Sequence, residues 1–114
     1  MITLISHSEA NQAISFKLHH RRLSHYSLVE LEELYLIMKY RVLSLYYEIN
    51  KLYDVKKLNF AYDFNLDSRY IENCQFKGQE PKKEEVIERI IMFYRTEFLI
   101  EHYLKQLKEV QPKI

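Results

Sequence analysis

The sequence predicts an all-α protein, an antiparallel bundle of three or four helices preceded by a basic N-terminal arm. Its 114 residues include one glycine and two prolines, too few for the many turns of a β-sandwich or barrel. Hydrophobic residues make up 47% of the chain and charged residues 29%, the composition of a folding sequence. Two long segments, 27–53 and 83–109, carry apolar residues at helical spacing. At this length we expect one domain over 1–114.

The charge and cysteine content exclude several classes of protein. The formal net charge of +1 argues against a protein built mainly to neutralise nucleic-acid phosphates. Cys74 is the single cysteine, which excludes an internal disulfide and a cysteine-rich zinc site. No apolar run reaches the roughly 18 residues that span a bilayer. We therefore expect an intracellular protein of a reducing compartment, such as the cytoplasm.

Residues 1–26 differ in composition from the rest of the chain. They contain one acidic residue, Glu9, against Lys17, Arg21 and Arg22. An N-terminus that is poor in acids and contains serine and arginine is typical of mitochondrial transit peptides. An ordinary basic arm or short helix explains the same composition, and this is the interpretation that we prefer.

Residues 27–53 are predicted to form the first long helix. Ser27 precedes Glu30 by three positions, which is the capping-box arrangement. Apolar residues then recur at steps of three and four, which indicates a helix face. One stripe consists of Leu28, Leu31, Tyr35, Met38, Val42, Leu45, Ile49 and Leu52, and a second of Leu36, Tyr40, Leu43 and Tyr47. A helix with two apolar stripes must contact neighbours on two sides.

The middle of the chain has an ambiguous pattern. Residues 58–64 alternate large apolar side chains with smaller or polar ones, which is typical of a strand. Leu66, Tyr70 and Cys74 then step by four, which is typical of a helix. We predict that 58–75 is a helix or an extended lead-in to one. The following KGQEPKKEE contains the only glycine and an interior proline, so it predicts a loop.

Residues 83–109 are predicted to form the second long helix. Glutamates occupy its first turns and lysines its last, and both placements suit the helix dipole. One apolar stripe consists of Val86, Ile90, Phe93, Ile100, Leu104 and Leu107, and a second of Ile87, Ile91, Tyr94 and Phe98. This helix is also expected to pack on two sides.

One residue pair suggests catalysis. Arg95 and His102 stand on the second long helix with six residues between them. This spacing resembles the loose Arg-x(4–6)-His pattern of the HEPN ribonucleases, which are small all-helical proteins that act on RNA across a dimer interface. Residues seven apart share a helix face by geometry alone, and the interpretation that we prefer is that Arg95 and His102 are solvated or pair with Glu97 or Glu101.

The N-terminal histidines are a further candidate for site chemistry. His19, His20 and His25 lie close together, but Glu9 is the only acid near them in sequence and no thiol is near. A metal site would require such companions in a fixed geometry. We predict no metal, no cofactor and no catalytic residue, and we expect a solvated basic arm.

The first long helix contains a short motif that resembles a known family. In VLSLYYEINK, residues 42–51, Leu45 and Tyr46 match the first two letters of the leucine-tyrosine-arginine motif. Proteins with this motif are small mitochondrial three-helix proteins. The third letter here is Tyr47 instead of arginine, and this departure puts the family's usual partner docking in doubt.

Other parts of the chain extend the resemblance over roughly residues 42–107. Arg69 lies in the second predicted segment, and Phe76 lies close to where the family has its phenylalanine after helix 2. The sequence EPKKEEVIERI resembles the proline-and-acid opening of the family's helix 3. The resemblance implies an adaptor that binds a mitochondrial acyl carrier protein and attaches it to a respiratory complex or to iron–sulfur assembly machinery.

The resemblance also implies a set of partner-binding residues. Basic side chains of such adaptors face the acidic carrier, and Arg41, Lys51 and Arg69 are the candidates here. Leu45, Tyr46 and Phe76 complete the set. Lys56 and Lys57 are further candidates.

We interpret the chain as a non-catalytic helical adaptor or accessory subunit of a larger assembly. Ten tyrosines support this, because their large faces and hydroxyl groups suit interfaces. The narrower form is a mitochondrial respiratory-complex subunit that binds an acyl carrier protein. The alternatives are a HEPN-like toxin ribonuclease and a small phage or bacterial regulator that binds another protein. The expected partners are protein subunits, in an oligomer or hetero-complex, and not nucleic acid.

Overall fold

The computed structural model describes residues 9, 10, 12, 16–54 and 68–110. The helices within these ranges are α1 (Phe16–Leu23), α2 (Leu28–Asn50), α3 (Tyr70–Phe76) and α4 (Lys83–Val110). All regular structure of the described residues is helical, which confirms the predicted all-α bundle. The question of strand or helix over 58–64 lies outside the described residues.

α2 begins where its capping sequence predicts. The Ser27 hydroxyl accepts a hydrogen bond from the Glu30 backbone N–H, and the Glu30 carboxylate accepts one from the Ser27 N–H, each at 3.2 Å. These two bonds satisfy helix N–H groups that have no partner within the helix. At the other end, the N–H groups of Leu52 and Tyr53 both bond to the carbonyl of Ile49 at 2.9 Å. The last residues of the predicted helix therefore form a turn.

α4 runs through the centre of the bundle, and α2 packs along it. The rings of Tyr35 and Phe93 lie 5.1 Å apart, and both side chains are fully buried. Further along, Lys108 Nζ lies 3.3 Å from Glu48 Oε1. Residue numbers rise together in both helices, so α2 and α4 run in the same direction. Alternate helices of an up-and-down antiparallel bundle have this relation.

α1 packs on the N-terminal half of α4. The ring of His19 lies 5.1 Å from that of Tyr94, and His20 Nε2 lies 3.3 Å from Glu84 Oε2. His20 follows His19 along α1, whereas its partner Glu84 precedes Tyr94 along α4. The two helices are therefore antiparallel. The basic N-terminal arm therefore includes a helix that packs on the bundle, and His19 and His20 are half-buried instead of solvated.

α3 is fixed to α2 by buried and half-buried polar contacts. The Tyr35 hydroxyl donates to the backbone carbonyl of Ser68 at 2.5 Å, and Lys39 Nζ lies 3.0 Å from Glu72 Oε1. The only glycine of the sequence, Gly78, follows the last residue of α3 by two positions. Gly78 has φ +65°, a left-handed conformation that a side chain would strain. Glycine at this position is typical of a helix C-terminus.

The two long helices differ in how completely the bundle encloses them. The second apolar stripe of α4, formed by Ile87, Ile91, Tyr94 and Phe98, is buried or half-buried. The second stripe of α2, formed by Leu36, Tyr40, Leu43 and Tyr47, is exposed. The predicted two-sided packing is therefore found for α4, whereas α2 has one apolar side in solvent.

Candidate functional site

The exposed large apolar side chains of the described residues are concentrated on α2. Six of the seven belong to α2, and we call these six the α2 stripe: Val29, Leu36, Ile37, Tyr40, Leu43 and Tyr47. The seventh is Phe76. The exposed fractions of the α2 stripe range from 40% for Leu43 to 71% for Tyr47. Contiguous exposed apolar surface of this kind marks an interaction site, whereas single scattered residues need no explanation.

The spacing of the α2 stripe matches a seam between two helices. Val29, Leu36 and Leu43 are seven residues apart, and so are Tyr40 and Tyr47. A sevenfold repeat at two neighbouring positions keeps a helix in contact with a partner helix over several turns. The stripe from residue 29 to 47 extends about 27 Å at the helical rise per residue.

A recess of about 420 Å³ lies beside the α2 stripe. Its lining consists of Ile37, Tyr40, Arg41, Ser44, Leu45 and Glu48. The small side chain of Ser44 leaves room between its larger neighbours. A second groove of about 830 Å³ lies between α2 and α4 and shares Leu45 and Glu48 with the first. The surface next to the stripe is therefore concave, as a protein-binding surface with side-chain pockets requires.

Arg41, the first predicted partner-binding residue, bonds to α4. Its guanidinium donates a hydrogen bond to Glu97 and a second, at 2.8 Å, to Glu101 Oε1. The hydrogen bond that Arg41 donates to Glu97, together with the charge of that carboxylate, raises the pKa of Arg41. Arg41 therefore links the two long helices instead of presenting a free cation.

The other predicted partner-binding residues are distributed over α2 and α3. Leu45 and Tyr46 are half-buried and pack against the core. Lys51 Nζ lies 4.9 Å from the ring centre of Tyr47, at the C-terminal end of α2. Arg69 is the exposed residue before α3.

Phe76 is the last residue of α3 and is 92% exposed. An aromatic side chain so fully in solvent adds nothing measurable to the core. Its position at a helix end keeps it available as a contact residue.

The residues of the ribonuclease alternative lie on α4. The ring of His102 stacks on Phe98 with 6.3 Å between centroids and lies edge-on to Tyr103 at 5.9 Å. Both His102 and Arg95 are half-buried. These contacts give His102 an aromatic packing role, and the catalytic role stays a prediction.

No group of three potential metal ligands is found among residues 9, 10, 12, 16–54 and 68–110.

The partner-binding residues predicted from the sequence RVLSLYYEINKLY include Leu45 and Tyr46. They do not include Tyr40 or Tyr47, and the recess at Ser44 was not predicted. The signal was present, because Tyr40 and Tyr47 belong to the second stripe of the helix. The sequence pattern does not show that no other helix in the described part of the chain covers this second stripe.

Within the described part of the chain, no helix is long and apolar enough to cross a membrane. Comparisons of this chain with protein-family models, with curated proteins and with solved structures found no match.

Proposed function

We propose that this protein is a non-catalytic helical adaptor or accessory subunit that binds an α-helix of another protein chain through the α2 stripe. The observation that carries the proposal is the exposure of this stripe, from 40% at Leu43 to 71% at Tyr47. Leaving such surface in water forgoes about 25 cal/mol per Å² of apolar area. A partner helix would recover that free energy.

The composition of the stripe supports a protein partner. Tyr40 and Tyr47 combine a broad apolar face with a hydroxyl group that forms hydrogen bonds at a wet rim. Tyrosine is enriched in protein interfaces and lysine is depleted. Lys51 lies over Tyr47, at the end of the stripe and away from its centre.

The narrower form of the proposal is an adaptor for a mitochondrial acyl carrier protein, as the family resemblance implies. Lys51 and Arg69 are exposed and suit an acidic carrier. Arg41 suits it less, because Glu97 and Glu101 already neutralise it. A co-purified protein that carries the mass of phosphopantetheine would support this form, and its absence would leave only the general adaptor.

Substituting Arg41 tests whether this residue docks a partner. We expect Arg41→Gln to lower the free energy of unfolding by at most about 1 kcal/mol, because exposed ion pairs contribute little. Partner binding is expected to remain unchanged, and Glu101→Gln serves as the matched control. A tenfold loss of partner binding at unchanged stability would instead assign Arg41 to the docking surface.

Photo-crosslinking from the stripe tests the proposal directly. A benzophenone amino acid replaces Tyr40 on the stripe or Phe76 on α3, both exposed aromatic positions. We expect a covalent adduct with a second chain from position 40 in living cells, and none from position 76. The adduct should disappear when Leu43→Lys is added. No adduct from position 40, or adducts only from position 76, would contradict the proposal.

A further inference from the structure

We infer that the α2 stripe binds the α2 stripe of a second copy of this chain, with the two helices antiparallel. This inference rests on the function proposed above and names the partner. It follows from the order of side chains along the helix, which becomes self-complementary only when one copy is reversed.

In each central apolar layer of such a pair, a larger side chain of one copy faces a smaller side chain of the other. With a twofold axis between Tyr40 and Leu43, Tyr40 faces Leu43 of the second copy. The same axis places Leu36 opposite Tyr47 of the second copy. Each of these central layers therefore contains one leucine and one tyrosine, so the separation of the helices stays constant from Leu36 to Tyr47. In antiparallel helix pairs the two seam positions of the heptad alternate across the interface in this way.

The polar residues of the seam also favour the reversed arrangement. Glu33 and Asn50 are exposed and continue the two seam positions beyond the apolar centre. The twofold axis places Glu33 opposite Asn50, whose amide donates hydrogen bonds to a carboxylate. A parallel pair would place Glu33 opposite Glu33, and like charges at a helix seam are unfavourable.

The residues beside the seam are complementary in shape. Ile37 belongs to the α2 stripe, is 63% exposed and flanks the seam that Leu36, Tyr40, Leu43 and Tyr47 form. Ser44 occupies the equivalent flanking position two turns later and lines the recess of about 420 Å³. In an antiparallel pair, residues at this flanking position face each other. Ile37 of each copy therefore enters the recess at Ser44 of the other.

The charges at the two ends of α2 are also complementary. The N-terminal turns carry Glu30, Glu32 and Glu33, and Lys51 stands at the C-terminal end. The same axis brings Glu32 of one copy to the level of Lys51 of the other. It also sets the dipoles of the two helices in opposite directions, which is favourable.

The size of the surface is sufficient for a dimer. The apolar seam of each copy, from Leu36 to Tyr47, is about three helical turns long, which suits the small interfaces, below about 1,200 Å², of weak complexes. We therefore expect reversible association rather than an obligate dimer.

Cysteine crosslinking of the full chain tests the antiparallel register. Leu36→Cys and Tyr47→Cys are prepared with tags of different size, and the unaltered chain, whose Cys74 is buried, is the control. We expect disulfide dimers when the two variants are mixed, and almost none from either alone. Dimers from each variant alone would show a parallel pair, and no dimers in any mixture would overturn the inference.

Sedimentation equilibrium of the purified chain separates this inference from the proposed function. We expect a monomer–dimer equilibrium that Leu43→Lys weakens by at least about tenfold, because a lysine then faces Tyr40 in an apolar layer. Gln75→Lys, at an exposed position of α3 off the stripe, should leave it unchanged. A strictly monomeric chain would overturn the inference. If position 40 still crosslinks to a different protein in cells, the proposed function stands without it.

Discussion

Phe93→Ala is expected to lower the free energy of unfolding by about 3–5 kcal/mol. Phe93 has no exposed surface, and its ring packs 5.1 Å from that of Tyr35 between α2 and α4. Removing the ring leaves a cavity at the contact that joins the two long helices. Because the free energy of unfolding of a small domain is only about 5–15 kcal/mol, the variant should be close to unfolding. Urea denaturation followed by circular dichroism measures the change.

Phe76→Ala is the matched control, since the chemical change is identical and only the burial differs. Phe76 is 92% exposed, so we expect a change within about 0.5 kcal/mol. Equal losses from both substitutions would show that Phe76 is covered in solution. The packing described for α3 would then be wrong.

Tyr35→Phe is expected to lower the free energy of unfolding by about 1–3 kcal/mol. The Tyr35 hydroxyl donates to the buried carbonyl of Ser68 at 2.5 Å and lies 3.3 Å from Glu72 Oε2. The substitution keeps the ring and leaves that carbonyl without this donor. Tyr40→Phe, on an exposed residue, should change stability by less than about 0.5 kcal/mol. Equal losses of stability at the two positions would show that the hydrogen bond of Tyr35 does not hold α3 against α2.

The same residue is expected to affect stability at alkaline pH. Burial, together with the nearby Glu72 charge, raises the pKa of Tyr35 well above the ordinary value of 10.0. Below pH 10 the hydroxyl is protonated in both states, and its contribution is fully present. Above pH 10 it ionises in the unfolded chain first, so stability falls as the pH rises.

Tyr35→Phe removes this contribution to the pH dependence. Between about pH 9 and 11 its free energy of unfolding should therefore fall less steeply than that of the unaltered chain. Burial also raises the pKa of Tyr94, so both proteins should lose some stability over this range. Parallel pH profiles would show that the Tyr35 hydroxyl is not buried in solution.

Local sequence determined the helices and several of their ends. The step of three and four in apolar residues specified α2 and α4, because such a pattern can bury one face only in a helix. Ser27 and Glu30 specified the start of α2, since their bonds satisfy backbone groups within one turn. The glycine after α3 marked a helix end, because its left-handed conformation is strained in other residues.

The site was only partly predictable. The second stripe of α2 was visible as a pattern, and the inference that the chain binds another protein depended on it. The family resemblance instead directed attention to Leu45 and Tyr46, which are half-buried against the core, and to Arg41. That Arg41 would bond to Glu97 and Glu101 required the relative direction and register of α2 and α4. Contacts between residues so distant in sequence leave no local pattern.

The sequence by itself determined that this chain forms long helices and that each long helix has two apolar stripes. Only the tertiary structure decided which stripe is covered. α1, α2 and α3 pack around α4, so its apolar residues are enclosed, whereas α2 lies at the edge of the bundle and keeps Tyr40 and Tyr47 in solvent. The physical reason is that the spacing of apolar residues shows only that one face of a helix favours burial. Which neighbour buries it depends on how the helices are arranged in space.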